Sequence, residues 1–194
     1  MYEEKTKVCP NCRRDIDYYE TTCSYCQQKQ EVNFEDDRIP YIRSTVGTYL
    51  RKFEKLDKYG TKIDWNWCGF LFGANWMIYR KLYLQFAIYF FTPLLLQLMA
   101  YLLASGHSAV GVALYLLSAL VSFVMWIVGG LFSDYWYKIK IEKLVEEGAS
   151  LDQDEREAFA KKKGGTSFGL LVLVLILNMI INIASTALLG GLGM

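Results

Sequence analysis

Four cysteines are the residues in this chain whose type and spacing prescribe a chemistry. In CPNCRRDIDYYETTCSYC they stand at Cys9, Cys12, Cys23 and Cys26, the pattern C-x2-C-x10-C-x2-C. Two residues between paired cysteines form a tight knuckle that points both sulfurs at one metal, with backbone N–H groups turned toward them. Two knuckles complete a tetrahedral thiolate shell, the closed geometry of structural zinc. The expectation is one Zn2+ per chain, with all four positions sulfur and none open for catalysis. A module this short has almost no core, so ligation must supply its folding free energy. The alternative, two disulfides, needs an exported segment, and the topology read below argues against one.

The elements that carry this module separate by charge. The chain has 21 Lys+Arg and 20 Asp+Glu, and all of them fall within residues 1–81 and 134–163. Residues 82–133 carry none, and neither do residues 164–194. Helices of a soluble protein need a polar face, whereas a bilayer excludes charge from its centre. The fold class expected is an all-α integral membrane protein with three transmembrane helices, an interfacial helix and a small zinc ribbon at the amino terminus. The spans are read at 82–104, 109–132 and 168–189, each meeting the roughly 20 residues that a bilayer core requires. Pro93 should kink the first. The tetrapeptide SGHS, with the single histidine His107, is read as an exposed turn between the first two. Three domains follow: the ribbon at 1–30, a linker with a basic amphipathic helix at 31–63, and a membrane domain at 64–194. The last includes a cytosolic helical loop at 133–167.

The stretch WNWCGFLFGANWMIY, residues 65–79, is too short to cross: fifteen residues rise about 22 Å against a core of about 30 Å. It also runs into the next span without a turn. It is read as a helix lying at, or dipping into, the cytosolic interface. Trp65, Trp67, Trp76 and Tyr79 sit at headgroup depth, and Arg80 and Lys81 mark the start of the first span. The start MYEEKTKVCPNC has no apolar run and begins with acids, so the amino terminus is expected in the cytosol. Three spans then put the carboxyl terminus outside, with every Lys and Arg on the cytosolic side of the inner membrane.

In the linker, STVGTYLRKFEKLDKYG reads as a helix capped by Ser44 and ended by Gly60, with Val46, Tyr49, Leu50, Phe53 and Leu56 on one face. It either lies on anionic lipid headgroups or packs its stripe on the ribbon or the loop. In the loop, SLDQDEREAFAKKKGG reads as a helix with Ser150 as N-cap and Gln153 completing a capping box.

YLRKFEKL followed by WNWCGFLFGANWMIYRKLY resembles a family of small bacterial inner-membrane proteins of unknown function. Asn66, Trp67, Phe70, Gly73, Trp76, Tyr79, Arg80 and Lys81 match its aromatic motif, while Trp65, Gly69 and Ala74 depart from it. SDYWYKIK is similar to a later family segment, with Asp134 in place of asparagine. The resemblance covers roughly residues 41–165; it implies architecture and no chemistry. The cysteine module is similar to short cytosolic zinc ribbons at the amino terminus of many bacterial membrane proteins. Those commonly place glycine after each knuckle, where Arg13 and Gln27 stand here.

The remaining candidates are matters of packing. Gly69 and Gly73 form a G-x-x-x-G pair that lets another helix approach, within the chain or in a second protomer. Asn178 and Asn182, with Ser185 or Thr186, form one stripe on the third span, read as glue between helices or as a polar path. Cys68 reads as a packing residue. Residues 1–30 carry five cations and five anions, so they lack a footprint for nucleic acid. With no catalytic set apparent, the chain is read as a non-enzymatic adaptor. Its ribbon would dock a protein partner at the cytosolic face. The alternative is a small oligomeric transporter or channel-like protein.

Overall fold

The computed structural model describes residues 6–30, 36–103 and 109–191, and side chains as far as Ala184. The expected turn with His107, and the side chains of Ser185 and Thr186, lie outside the described residues. In chain order the elements are β1 (Thr6–Val8), β2 (Asp15–Asp17), α1 (Ile39–Ile42), α2 (Val46–Tyr59), α3 (Trp67–Phe72), α4 (Ala74–Tyr79), α5 (Tyr83–Leu103), α6 (Ala109–Gly148), α7 (Gln153–Lys163) and α8 (Phe168–Gly191). Their contacts define two compact units. One holds Met1–Lys62 and Ile141–Gly164, the other Ile63–Lys140 and Gly165–Met194.

In the first unit β1 and β2 pair antiparallel with Lys7 opposite Ile16, and a bridge joins Thr22 to Lys29. The apolar stripe of α2 is buried within the unit: Tyr49, Leu50, Phe53 and Leu56 are covered, as is Gly47. One of its contacts is with the cysteine module. A Cβ on Gly47 would run into the backbone of Tyr19, Arg51 pairs with Asp17 at 3.4 Å, and burial plus the Glu54 carboxylate raise the Tyr19 hydroxyl. The apolar face of this helix is therefore occupied by protein. Its exposed face carries Arg51, Lys55 and Lys58. On the other side of the unit, Tyr41 of α1 meets Phe159 of α7 edge-on at 6.2 Å, and Gly148 and Gly164 lie against it.

Two helix starts differ from the expectation. The residue before α2 is Thr45, in a left-handed conformation with no side-chain cap, so Ser44 does not cap it. The cap of α7 is Asp152, which accepts the Glu155 N–H at 2.8 Å; Ser150 lies two residues too early. Asp152-x-x-Glu155 is itself the capping-box spacing, and aspartate caps as well as serine. Acids in the first turn of α7 and Lys161–Lys163 in the last complement its dipole.

In the second unit, three helices among the described residues are long and apolar enough to cross a membrane: α5, α6 and the α8 part of the stretch Gln153–Ala184. Helix α6 runs unbroken for 40 residues, so SDYWYKIKIEKLVEEG continues it beyond the apolar segment. Pro93 lies inside α5. The expected single helix at 65–79 is two helices. They part at Gly73, whose φ of 46° and ψ of −119° no helix accommodates.

Candidate metal centre and the membrane-unit residues

The four sulfurs come together by repetition of one turn. In each knuckle the first cysteine's N–H reaches the carbonyl five residues on: Cys9 to Arg14 and Cys23 to Gln28, both at 2.9 Å. Its carbonyl accepts the N–H four residues on, from Arg13 at 2.8 Å and Gln27 at 2.9 Å. Closing the turn this way requires left-handed backbone after the second cysteine, and Arg13 and Gln27 take it, with φ of 57° and 59°. These are the two positions where similar ribbons carry glycine. Arginine and glutamine here adopt the same geometry at a cost of about 1 kcal/mol each.

The four Sγ atoms all lie within 4.8 Å of one another, with Cys9–Cys26 at 3.7 Å and Cys12–Cys23 at 3.6 Å. A tetrahedral ion at ~2.3 Å from each sulfur would hold them ~3.8 Å apart. The donor set is therefore compatible with one ion. Cys9 and Cys23 are fully covered and Cys12 and Cys26 partly so, around Ile16. The donors nearby favour thiolate at two of the four sulfurs. The Cys12 backbone N–H is the main group that lowers the Cys9 thiol to about 6, and the Asn11 side chain lowers Cys26. At Cys12 the Arg14 backbone N–H is outweighed by burial and the neighbouring sulfurs, which push the thiol up to about 11. Thiolate is the form that ligates metal.

Two residues outside the pattern complete the centre. Gln30 is buried, and its Nε2 lies 3.5 Å from the Cys9 sulfur and 2.9 Å from the Gln28 carbonyl. The second is Asn11. Asn11 could be suspected from its place inside a knuckle; Gln30 carries no such signal, because the Thr22–Lys29 bridge is what brings it back.

The aromatic segment divides. Trp67 is 64% exposed and Trp65 36%, whereas Trp76 is buried and meets Tyr137 edge-on at 6.2 Å. Tyr79 and Lys81 are partly covered. Arg80, expected to reach headgroups, is only 4% exposed, its guanidinium 5.2 Å from the Tyr137 ring centre. Trp76 and Arg80 are thus buried in protein, because α4 packs against α5 and α8 and its end is capped from α6. Lys140 donates to the Arg80 carbonyl at 2.7 Å, satisfying a carbonyl at the end of α4.

A buried polar cluster lies where the sequence marked only a helix end. Asn66 caps α3 by accepting the Gly69 N–H at 2.9 Å, and its amide donates to Asp134 at 2.6 Å. Asp134 is fully buried, as is Ser133, whose hydroxyl donates to the Gly129 carbonyl. Gly69 packs here: a Cβ would clash with the Ser133 side chain and sit 2.8 Å from the Gly129 carbonyl. Gly73 is different. Nothing in this chain lies within 4 Å of a Cβ there, and its positive φ gives it a conformational role instead. On α8, Asn182 is exposed and donates to the Asn178 carbonyl of its own helix at 2.8 Å. Cys68 is exposed on α3.

The class that fold and site define is a helical protein with three potential membrane spans and an amino-terminal four-cysteine module able to hold a metal ion. The chain belongs to the family described as "Protein of unknown function (DUF2628)", which it matches over residues 27–141. The match begins after Cys26, so the cysteine module precedes it. It takes in α1–α5 and α6 as far as Ile141. No curated protein and no solved structure matches the chain.

Proposed function

We propose that this protein is a non-enzymatic accessory protein of the inner membrane whose zinc-bound ribbon docks a protein partner at the cytosolic face. In this reading α5, the apolar part of α6 and α8 cross the bilayer, with the amino terminus in the cytosol and the carboxyl terminus outside. The single observation that carries it is the cysteine centre: four sulfurs spaced for one Zn2+ and closed to a substrate. Such a centre serves to fold a small surface rather than to react. That surface carries Tyr25, 57% exposed, with the Arg14 guanidinium 4.9 Å from its ring centre, and Val8, 61% exposed. Tyrosine and arginine are enriched where proteins meet, and a module of balanced charge has no field for a polyanion. Basic residues of α2 and the Lys161–Lys163 run face anionic lipid headgroups.

The test is crosslinking in native membranes, with capture through the intact chain and through a chain lacking residues 1–30. A partner retained only by the intact chain is the expected result. The same partner captured equally by both removes the ribbon from the interaction.

A second reading, a small oligomeric transporter or channel, draws on a cavity of about 490 Å3 lined by Gly73, Tyr89, Pro93, Ser122 and Trp126, and on exposed Asn182. Polar side chains on a span's outer face seek partners on another helix. A defined homo-oligomer with solute flux abolished by Asn178→Leu would favour it.

A further inference from the structure

We propose that residues 64–80 form a re-entrant hairpin: α3 descends into the bilayer to about a third of its depth, Gly73 reverses the chain, and α4 returns to the same side. The hairpin lays the outer face of α3 against lipid acyl chains. This rests on the reading that α6 crosses the membrane, because α6 is the ruler.

The contacts of the segment with α6 run in register, first down and then up. The Asp64 and Asn66 N–H groups reach the Leu131 and Gly130 carbonyls at 3.1 and 2.8 Å, and the Asn66 amide reaches Asp134. Gly69 lies against Ser133 and Gly129. Phe70 stacks on Trp126, with ring centres 4.7 Å apart. Leu71, Phe72, Gly73 and Ala74 share a cavity with Ser122, Phe123 and Trp126. Then the direction reverses. Trp76 meets Tyr137, Arg80 lies over Tyr137, and Lys140 reaches the Arg80 carbonyl. The Tyr79 carbonyl accepts the Ser167 N–H at 2.8 Å, at the entry to α8.

From Ser133 to Trp126, the α6 residues that α3 touches, α6 rises about 10 Å at 1.5 Å per residue, a third of a core about 30 Å thick, and the six residues of α3 rise about as far. A helix lying on the surface would keep contact with one level of α6, and this one runs along two turns of it.

The composition of the exposed face agrees. A helix lying in the interface carries a polar face toward water. The exposed side chains of α3 are Trp67, Cys68, Leu71 and Phe72, with no charge or hydroxyl among them. That is a face for hydrocarbon, continuous in kind with the exposed Leu84, Ile88, Phe91 and Leu95 of α5. Asn66 and Arg80 at the open end of the hairpin are buried, as is Asp134 of α6 beside them, while Asn75 next to the tip is partly covered. An irregular reversal at membrane depth is tolerated where its backbone groups are satisfied, and here the Gly73 N–H donates to the Gly69 carbonyl at 3.0 Å while its carbonyl accepts the Trp76 N–H at 3.1 Å.

Spin-label depth measurement on the full chain in vesicles of phosphatidylcholine and phosphatidylglycerol tests this. Labels go on Phe72→Cys and, separately, Leu71→Cys and Val124→Cys, in a Cys68→Ser background. The labelled peptide is identified by mass spectrometry. Both α3 sites are exposed, so the labels displace no core. Relative accessibility to oxygen and to a water-soluble nickel complex should place the Phe72 and Leu71 labels ~10 Å below the core boundary, approaching the depth of Val124. Phe72 and Leu71 labels at phosphate level, with Val124 deep, would overturn the hairpin alone. A Val124 label at phosphate level would overturn the hairpin together with the membrane crossing of α6.

Discussion

Residues 6–30 cover little besides Cys9, Ile16, Tyr19, Cys23 and Gln30, and their sheet has three residues in each strand. Residues 65–82, a shorter stretch, cover Trp76, Met77, Ile78, Arg80 and Leu82 and insert Asn66 against a buried carboxylate. The first module lacks the apolar area to order its backbone, and in the proposed reading an ion held by its four close sulfurs makes up for it. The second needs no ion, because helices on several sides supply the burial and Asn66 with Asp134 fixes where it sits. Glycine and its substitutes divide the same way. Gly69 is required by a neighbour and Gly73 by a dihedral angle, while in the cysteine module the left-handed positions are filled by Arg13 and Gln27.

That contrast breaks most visibly at the metal. Replacing Cys9→Ser/Cys12→Ser removes two ligands of a site whose binding free energy is about 10–16 kcal/mol in small zinc modules. Residues 6–30 should become protease-sensitive, while helix content from α5, α6 and α8 stays unchanged by circular dichroism.

The next largest effect falls in the membrane unit. Asn66→Leu leaves the Asp134 carboxylate buried without that donor and removes the α3 cap, lowering stability by about 3 kcal/mol in detergent unfolding. Zinc content should not change. Gly69→Ala should cost about 1–3 kcal/mol by overpacking against Ser133, and Gly73→Ala about 1–3 kcal/mol, because its φ of 46° with ψ of −119° is a conformation that side chains with a Cβ resist. The smallest effect has the opposite sign. Arg13→Gly and Gln27→Gly should each raise ribbon stability by about 0.5–1 kcal/mol, read as slower zinc loss to a chelator, because glycine occupies that angle without strain.

Much of this was legible in residue order. The charge-free blocks locate the apolar helices, since a bilayer tolerates no alternative. The cysteine spacing locates the four sulfurs, since a knuckle is a local turn. Gly60 ends α2 at the residue expected, adopting the left-handed conformation that closes helices. What escaped depends on contacts distant in sequence. Asn66 and Asp134 are 68 residues apart, and neither shows its partner by spacing. Trp76 and Arg80 read as interfacial by type, because tryptophan and arginine do favour headgroups; α4 buries them for reasons that lie in α5, α6 and α8. The break at Gly73 was hidden for a related reason. Its residue type was noted for smallness, while its dihedral angle is set by the reversal of the chain around it.

The account rests above all on zinc as the fold-determining partner of residues 6–30, and intact-mass analysis under native conditions tests this most directly. The full chain, released gently from detergent, should carry one zinc ion per 22.4 kDa chain. Chelation should remove the ion and open residues 6–30 to protease. A chain that carries no metal, yet keeps those residues protected, would contradict the account.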